Sequence, residues 1–263
     1  MHKNFLNIRI SLLYNKSNKV SLKYVEAFKK ILLPVPIEEA EILIVLGGDG
    51  ELLQNLHKYM NLKIPFLGIN TGLVGFLMNN IKIDKLNFLI KEILKLKKIN
   101  LSPIEMIAFD FENKLHKALG FNDVYIFRQT NQAAHFKIKI NGLTQIKKVI
   151  SDGALVSTAA GSSAYNFSAG GNIIPIESRL LCLTALCPYR PRRWRGALLP
   201  QSSQVEFKIL NSVTRPVNAV ADFQEFKNIK KILIRSRKDI SVKLLFTSKN
   251  NLENKIIQEQ FKI

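Results

Sequence analysis

The sequence predicts an α/β domain built on a parallel sheet, followed by a mainly antiparallel β domain. Three observations carry this. The first hundred residues alternate strand-like and helix-like patterns, the order of a parallel sheet flanked by helices. Residues 101–245 read as a series of short strands without the periodicity of a long helix. The last stretch, NLENKIIQEQF, places Leu252, Ile256, Ile257 and Phe261 on one helical face. The expected organisation is an α/β domain over 1–100, a β-rich domain over 101–245 and a closing helical segment over 246–263.

Taken in order, FLNIRISLLY is strand-like, and KVSLKYVEAFKKIL sets Val20, Tyr24, Phe28 and Ile31 at helical spacing. ILIVL is a strand, ELLQNLHKYM a helix and IPFLGIN a strand. IDKLNFLIKEILKLKK reads as a helix with an apolar face of Leu86, Leu89, Ile90, Ile93 and Leu94. IAFDFENKLHKALGF then gives two strands around an Asn-containing turn. HFKIKINGLTQIKKVI alternates Phe136, Ile138 and Ile140 with lysines and reaches Asn141-Gly142, a strong hairpin signal. QVEFKIL, VNAVADF, KKILIRS and VKLLF add short strands, and SSAYNFSAGG offers one short helix.

The chain has 263 residues, 47% of them hydrophobic, enough for one large core or two small ones. No stretch reaches the roughly 18 uninterrupted apolar residues of a membrane helix, and the N-terminus lacks a small-residue cleavage site. No membrane partner is expected. Two cysteines in one segment, Cys182 and Cys187, cannot staple a chain of this size, so a reduced, cytoplasmic setting is expected. His2, His57, His116 and His135 show no metal-ligand spacing. The net charge of +19 points either to an anionic partner or to solvated basic faces. Lysines 82, 85, 91, 95, 97 and 98 decorate a helical pattern with no matching aromatics, which favours solvated faces over nucleic acid.

Two glycine-bearing loops follow strands on one rim, where ligands bind in parallel sheets. In Gly47-Gly48-Asp49-Gly50 the glycines let a phosphate or sugar approach main-chain N–H groups. Asp49 then accepts a hydroxyl proton, holds Mg²⁺ bridging phosphates, or merely caps a helix starting near Glu51. The second loop is GINTGLVGFL, Gly68 to Leu77. Further on, Asn122 and Asp123 break an apolar strand, marking an edge or a site. Ser151 to Gly171 joins another Asp-Gly to small and hydroxyl residues. There Ser162, Ser163 and Ser168 can donate hydrogen bonds and Tyr165 can pack on a ring.

GGDG, the NTG of Asn70 to Gly72, the Asn122–Asp123 pair and the DG…STxxGSxAYxxSAGG block, in this order, resemble the NAD kinase family. The resemblance spans nearly the whole chain, and RPRRWRGALLP and RPVNAVADF look like its alphaproteobacterial branch. It implies an α/β N-terminal domain and a β-rich C-terminal domain whose chain end returns to the first. It also implies phosphoryl transfer from ATP or polyphosphate to the 2′-hydroxyl of the adenosine ribose of NAD, with a divalent metal such as Mg²⁺. On that resemblance Asp49 is the general base, with Gly50 beside it at the NAD site. Asn122 and Asp123 contact the adenosine, and Asp152 binds NAD. Ala160, Ser163, Ala164, Tyr165, Asn166, Phe167 and Ser168 line the dinucleotide, and Gln224 matches a late NAD-contacting glutamine. No metal-ligating side chain is assigned. Four positions depart from the pattern: Asp123 for the usual Glu, Ser151 for Gly, Ala159 for Pro and Ser163 for Thr.

Lipid and sugar kinases share a GGDG-type turn but lack the Ser-Tyr-rich second block. A non-catalytic protein binding anions or nucleic acid has no need of Asp49, Asn122 and Asp152 together. The Arg190–Arg195 cluster around Trp194 suits RNA, a phosphate donor or a subunit contact; its prolines and the strand that follows favour a structural or subunit role in a homo-oligomer.

Overall fold

A computed structural model describes residues 8–72, 75–247, 255 and 261. In chain order its elements begin with β1 (Ile10–Tyr14), α1 (Lys19–Lys29), β2 (Ile42–Gly47), α2 (Asp49–Tyr59), β3 (Phe66–Asn70), α3 (Leu86–Glu92) and β4 (Lys97–Leu101). Next come β5 (Ile104–Asp110), β6 (Leu115–Gly120), β7 (Asp123–Arg128), β8 (Ala134–Ile140), β9 (Leu143–Ser151) and β10 (Gly153–Ser157). The remainder are α4 (Tyr165–Ser168), β11 (Leu180–Leu186), β12 (Gly196–Pro200), β13 (Val205–Ile209), β14 (Val217–Ala221), β15 (Gln224–Phe226), β16 (Ile229–Ser236) and β17 (Val242–Phe246). The chain divides into two compact units, residues 1–101 with 241–263, and residues 102–240.

The first unit carries a five-stranded sheet in the order β1-β2-β3-β17-β4. β1, β2, β3 and β17 run parallel, while β4 closes the edge antiparallel to β17. β2 lies between β1 and β3 and is buried along its whole length, which is why it is an unbroken apolar run rather than an alternating one. Asn18 caps α1 by accepting the N–H groups of Val20 and Ser21. That cap is worth about 1 kcal/mol, less than the roughly 1.5–3 kcal/mol from burying Phe28 alone. Packing therefore decides where α1 sits, and the cap decides where it starts.

Three expectations in this unit need correction. VKLLF, expected among the strands of the β-rich region, is β17 of the first sheet. There the buried Asn79 side chain donates to Gly68 O and Leu245 O, both at 2.9 Å, and accepts the Thr247 N–H. The helix expected through Lys98 ends earlier: α3 is flanked by single 3₁₀ turns, and Lys97 and Lys98 lie in β4. Val20 and Leu94, expected on apolar faces, are exposed. The closing helix expected over 251–261 lies outside the described residues except for Lys255 and Phe261.

The second unit is two six-stranded antiparallel sheets, ordered β12-β11-β10-β7-β14-β15 and β6-β5-β16-β13-β8-β9. Their apolar faces share one core, in which Val124, Ile126, Ala154 and Val156 of one sheet join Ile104, Phe136, Phe207 and Ile232 of the other. The Asn141-Gly142 hairpin forms as expected, both residues at positive φ. β10 is sandwiched between β7 and β11, and at its first residue a Cβ would lie 1.9 Å from Ile126 O. Gly153→Ala should therefore cost about 3 kcal/mol or more, read as a lower urea midpoint with an unchanged slope. A wild-type midpoint would mean that the two strands separate freely there.

Candidate active site

In the first unit, the fully buried β2 ends at Gly47, and α2 begins two residues later. A Cβ on Gly47 would meet Glu51 Cβ at 2.5 Å, so glycine lets the helix turn back onto the strand end. Asp49 is the first residue of α2, and Gly48 the capping residue supplies no side-chain bond. The capping role considered for Asp49 is thus replaced by a longer reach. Its Oδ2 accepts the Phe76 N–H at 2.7 Å and its Oδ1 the Leu77 N–H at 2.9 Å. Burial raises the Asp49 pKa, against the lowering effects of these amides and of Lys255. Two glycine loops on one rim are thereby joined through a single carboxylate. The NTG turn within the second loop is self-held: Asn70 Oδ1 accepts the Gly72 N–H at 3.0 Å.

Gly50 differs from its neighbours. It is exposed, its φ is not positive, and a Cβ there would meet nothing within 4 Å. No contact inside the protein requires glycine at this position, so the bare backbone faces outward at the positive end of α2.

In the second unit, Asn122 and Asp123 do not interrupt a strand. Phe121 and Asn122 form the turn between β6 and β7, and Asp123 opens β7. Asp222, which the sequence reading missed, accepts the N–H groups of Phe121, Asn122 and Asp123 at 2.7, 2.9 and 3.2 Å. It stands at φ 49° in the turn joining β14 to β15. From the other side Thr158 Oγ1 donates to Phe121 O at 2.6 Å, and the Thr158 N–H to Asn122 O at 2.9 Å. The Asn122 backbone is clamped on both sides, yet its Oδ1 is buried without a partner. A buried, unfilled acceptor is rare and suits a ligand donor. The Asp123 carboxyl is pushed up to about 7, first by burial and then by the Asp222 charge.

Tyr165 lies between this turn and Asp152. Its ring meets Tyr125 edge-on with centroids 5.2 Å apart, and both Asp123 and Asp152 are near enough to raise its hydroxyl pKa, behind burial and Cys187. Asp152, Tyr165, Ser168, Cys187, Arg192 and Arg195 are among the residues lining a cleft of about 480 Å³. That volume suits part of a dinucleotide. The Arg128 Nε donates to Asp152 Oδ1 at 2.6 Å, fixing that carboxylate at the rim. Ser163, Ala164 and Phe167 are half-buried in the same segment, and Ala160 is buried. Gln224 is exposed at the start of β15, the edge strand of its sheet.

Two residues of the Ser-rich block turn inward instead. The fully buried Asn166 donates to Ser162 O and Asn172 O, both at 2.9 Å, and accepts from Thr184 Oγ1 at 2.7 Å. Ser162 Oγ donates to Ala159 O at 2.7 Å and accepts the Ile174 N–H at 3.1 Å. These hydrogen bonds shape the loop from within. In the arginine cluster, Trp194 packs on the core and Tyr189 carries Arg190 and Arg192 over its ring at 5.3 and 5.8 Å.

The Asp123 environment sets a pH dependence. Its folded pKa of about 7 exceeds the ordinary 3.8, so the folded state holds a proton that the unfolded state has released. The stability this contributes is fully present below about pH 4 and is lost as pH rises through about 7. Each pKa unit corresponds to about 1.4 kcal/mol. Asp123→Asn cannot ionise, so its melting temperature should gain on the wild type between pH 4 and 8. A gap that stays constant with pH would mean that Asp123 titrates as an ordinary carboxylate.

Comparison with known proteins agrees with this geometry. The ATP-NAD kinase N-terminal domain family matches residues 7–99, and the ATP-NAD kinase C-terminal domain family matches residues 121–242. The NAD kinase of Rickettsia bellii is 51% identical over 253 residues, covering 96% of this chain and 98% of the relative. That of Rickettsia felis is 52% identical over the same span. A yeast NADH kinase, solved in complex with NADH, shares the fold with a TM-score of 0.81 at 20% identity, over 97% of this chain and 89% of its own. An NAD kinase from Archaeoglobus fulgidus, solved in complex with ATP, has a TM-score of 0.75 at 21% identity, over 95% and 99%. With both domains matched and half of all residues shared across nearly the whole length, this chain belongs to the NAD kinase family.

Proposed function

We propose that this chain transfers the terminal phosphoryl group of ATP or polyphosphate to the 2′-hydroxyl of the adenosine ribose of NAD, giving NADP, in the cytoplasm and as a homo-oligomer. The observation that carries the reading is Asp49. It is a largely buried carboxylate of raised pKa, held by two amides beside the open backbone of Gly50. Each carboxylate oxygen accepts one N–H and keeps a lone pair for a hydroxyl proton. In the step, the 2′-oxygen bonds to the terminal phosphorus as its proton passes to Asp49, and the bond to the donor's bridging oxygen breaks. Positioning and charge neutralisation supply most of the acceleration.

Asn122 and Asp123 hold the adenosine part of NAD, with the free Asn122 Oδ1 accepting from the ligand. Asp123, with a carboxyl near pH 7, both accepts and donates around neutrality. Asp152, Tyr165 and Ser168 line the rest of the dinucleotide's path, with Ala160, Ser163, Ala164 and Phe167 giving it a smooth wall and Gln224 a more distant contact. Among the described residues there is no group of three His, Cys, Asp or Glu side chains able to cage a metal. Mg²⁺, arriving on the donor's phosphates, would neutralise charge there. Among the described residues no helix is long and apolar enough to cross a membrane.

Pure protein incubated with NAD, Mg²⁺ and either ATP or polyphosphate should form NADP. Phosphorylation of a lipid or sugar in place of NAD would reject the assignment. Asp49→Asn should lower turnover by roughly 10²–10⁴-fold, the usual worth of a general base, with little change in NAD affinity. Gly50→Ala should leave the melting temperature unchanged or raise it, since alanine in a helix gains about 0.5–1 kcal/mol over glycine. The same variant should lose activity, because its methyl group points to where the substrate approaches. Full activity in Gly50→Ala would remove Gly50 from the site.

A further inference from the structure

Two of the three carbonyls around Lys255, those of Gly75 and Phe76, are the backs of the peptides that hold Asp49, and the third, Met78 O, follows in the same loop. Lys255 Nζ donates to Met78 O at 2.6 Å, to Gly75 O at 3.2 Å and, more weakly, to Phe76 O at 3.4 Å. The Gly75 carbonyl belongs to the same peptide group as the Phe76 N–H, which donates to Asp49 Oδ2. The Phe76 carbonyl belongs to the same peptide group as the Leu77 N–H, which donates to Asp49 Oδ1. Two peptide groups are thus gripped at one end by an ammonium and at the other by a carboxylate, each dipole aligned with the field between them. Such chains of hydrogen bonds polarise and strengthen one another.

We propose that Lys255 is a positioning residue for phosphoryl transfer, acting through the 75–78 loop to fix the Asp49 carboxylate in its reactive place. The inference rests on the reading of Asp49 as the general base. A glycine at position 75 is needed for this loop, because a Cβ there would lie 2.8 Å from Met78 Cγ. Burial disfavours the Lys255 ammonium and the Asp49 charge favours it, so the two ends of the chain of bonds support each other's charged form. The plainer alternative is a lysine that only anchors the loop for stability, without consequence for the chemistry.

Lys255→Met keeps an unbranched side chain, one atom shorter, and removes every donor. In the full-length protein, turnover should fall by about 10–100-fold, the scale of a misplacement of about 1 Å, while the KM for NAD stays within about twofold. The Phe76 and Leu77 amides should exchange hydrogen at least about tenfold faster, reporting the loosened loop directly. Wild-type turnover with faster exchange would overturn the proposal, since the anchor would then be structural alone. A KM rise with unchanged turnover would overturn it as well. If Lys255→Met does not fold, Lys255→Gln, which keeps two donors, should give intermediate turnover and intermediate exchange; wild-type turnover in it overturns the proposal. Asp49→Asn separates the two readings. If that variant retains turnover, the base assignment fails; if it loses turnover while Lys255→Met does not, only the role of Lys255 fails.

Discussion

In each unit, a carboxylate that accepts backbone amides from a turn remote in sequence fixes the candidate residues. Asp49 takes the N–H groups of Phe76 and Leu77, and Asp222 takes those of Phe121, Asn122 and Asp123. Turns at strand ends leave amides without ladder partners, and a buried amide without a partner is costly. A carboxylate answers that need with bonds about twice as strong as neutral ones. The two clamps differ in what they leave over. Asp222 meets three amides, two of them on Oδ1, whereas Asp49 meets two, one on each oxygen, beside open backbone. On the proposed reading of Asp49, the same device yields a support in one place and a reactive group in the other.

The elements themselves were legible because their signals are local. The β2 run, the Asn141-Gly142 hairpin and the alternating lysine faces each lie within a few residues of chain. What escaped was long-range. VKLLF has the same pattern whichever sheet takes it, and what sets it beside β3 is long-range: the Leu244–Phe66 pairing and the Asn79 side chain, 166 residues from Leu245. Asp222 is separated from its amides by about a hundred residues, and its one local hint is a carboxylate ending the apolar VNAVA. Asn122 and Asp123 looked like an interruption because Phe121 and Val124 on either side are apolar and both buried. Burial of the flanks on both sides of a turn produces the same pattern as a broken strand.

The Ser-rich block shows why a motif is a poor map of ligand contacts. Gly161 is glycine because a Cβ would lie 2.2 Å from Asn122 O, and Gly171 because one would lie 2.2 Å from Asn166 Oδ1. Those glycines, with Ser162 and Asn166, serve the folding of the segment over its own sheet. The groups left to face outward are Tyr165 and Ser168, with Ser163, Ala164 and Phe167 half-covered. Gly50 is the opposite case, a glycine for which the protein offers no internal reason. Sorting each small residue by what its missing atoms would strike separates scaffold from site where the sequence pattern alone cannot.

The same sorting bears on the charge of +19. Some basic side chains are shared out in networks: Glu206 meets Lys139 and Lys231, and the buried Glu105 meets Arg235 and Arg237. Binding of single-stranded nucleic acid needs aromatic faces free to stack on bases beside the cations. In the one cluster that combines the two, Trp194 is committed to the core and Tyr189 already carries two guanidinium groups over its ring. Arg192 and Arg195 line the cleft with Asp152 and Tyr165. At physiological ionic strength exposed charges are screened beyond roughly 8 Å. Under the proposed function, the arginines placed to meet an anionic dinucleotide are these two at the cleft, rather than the lysines spread over the helices.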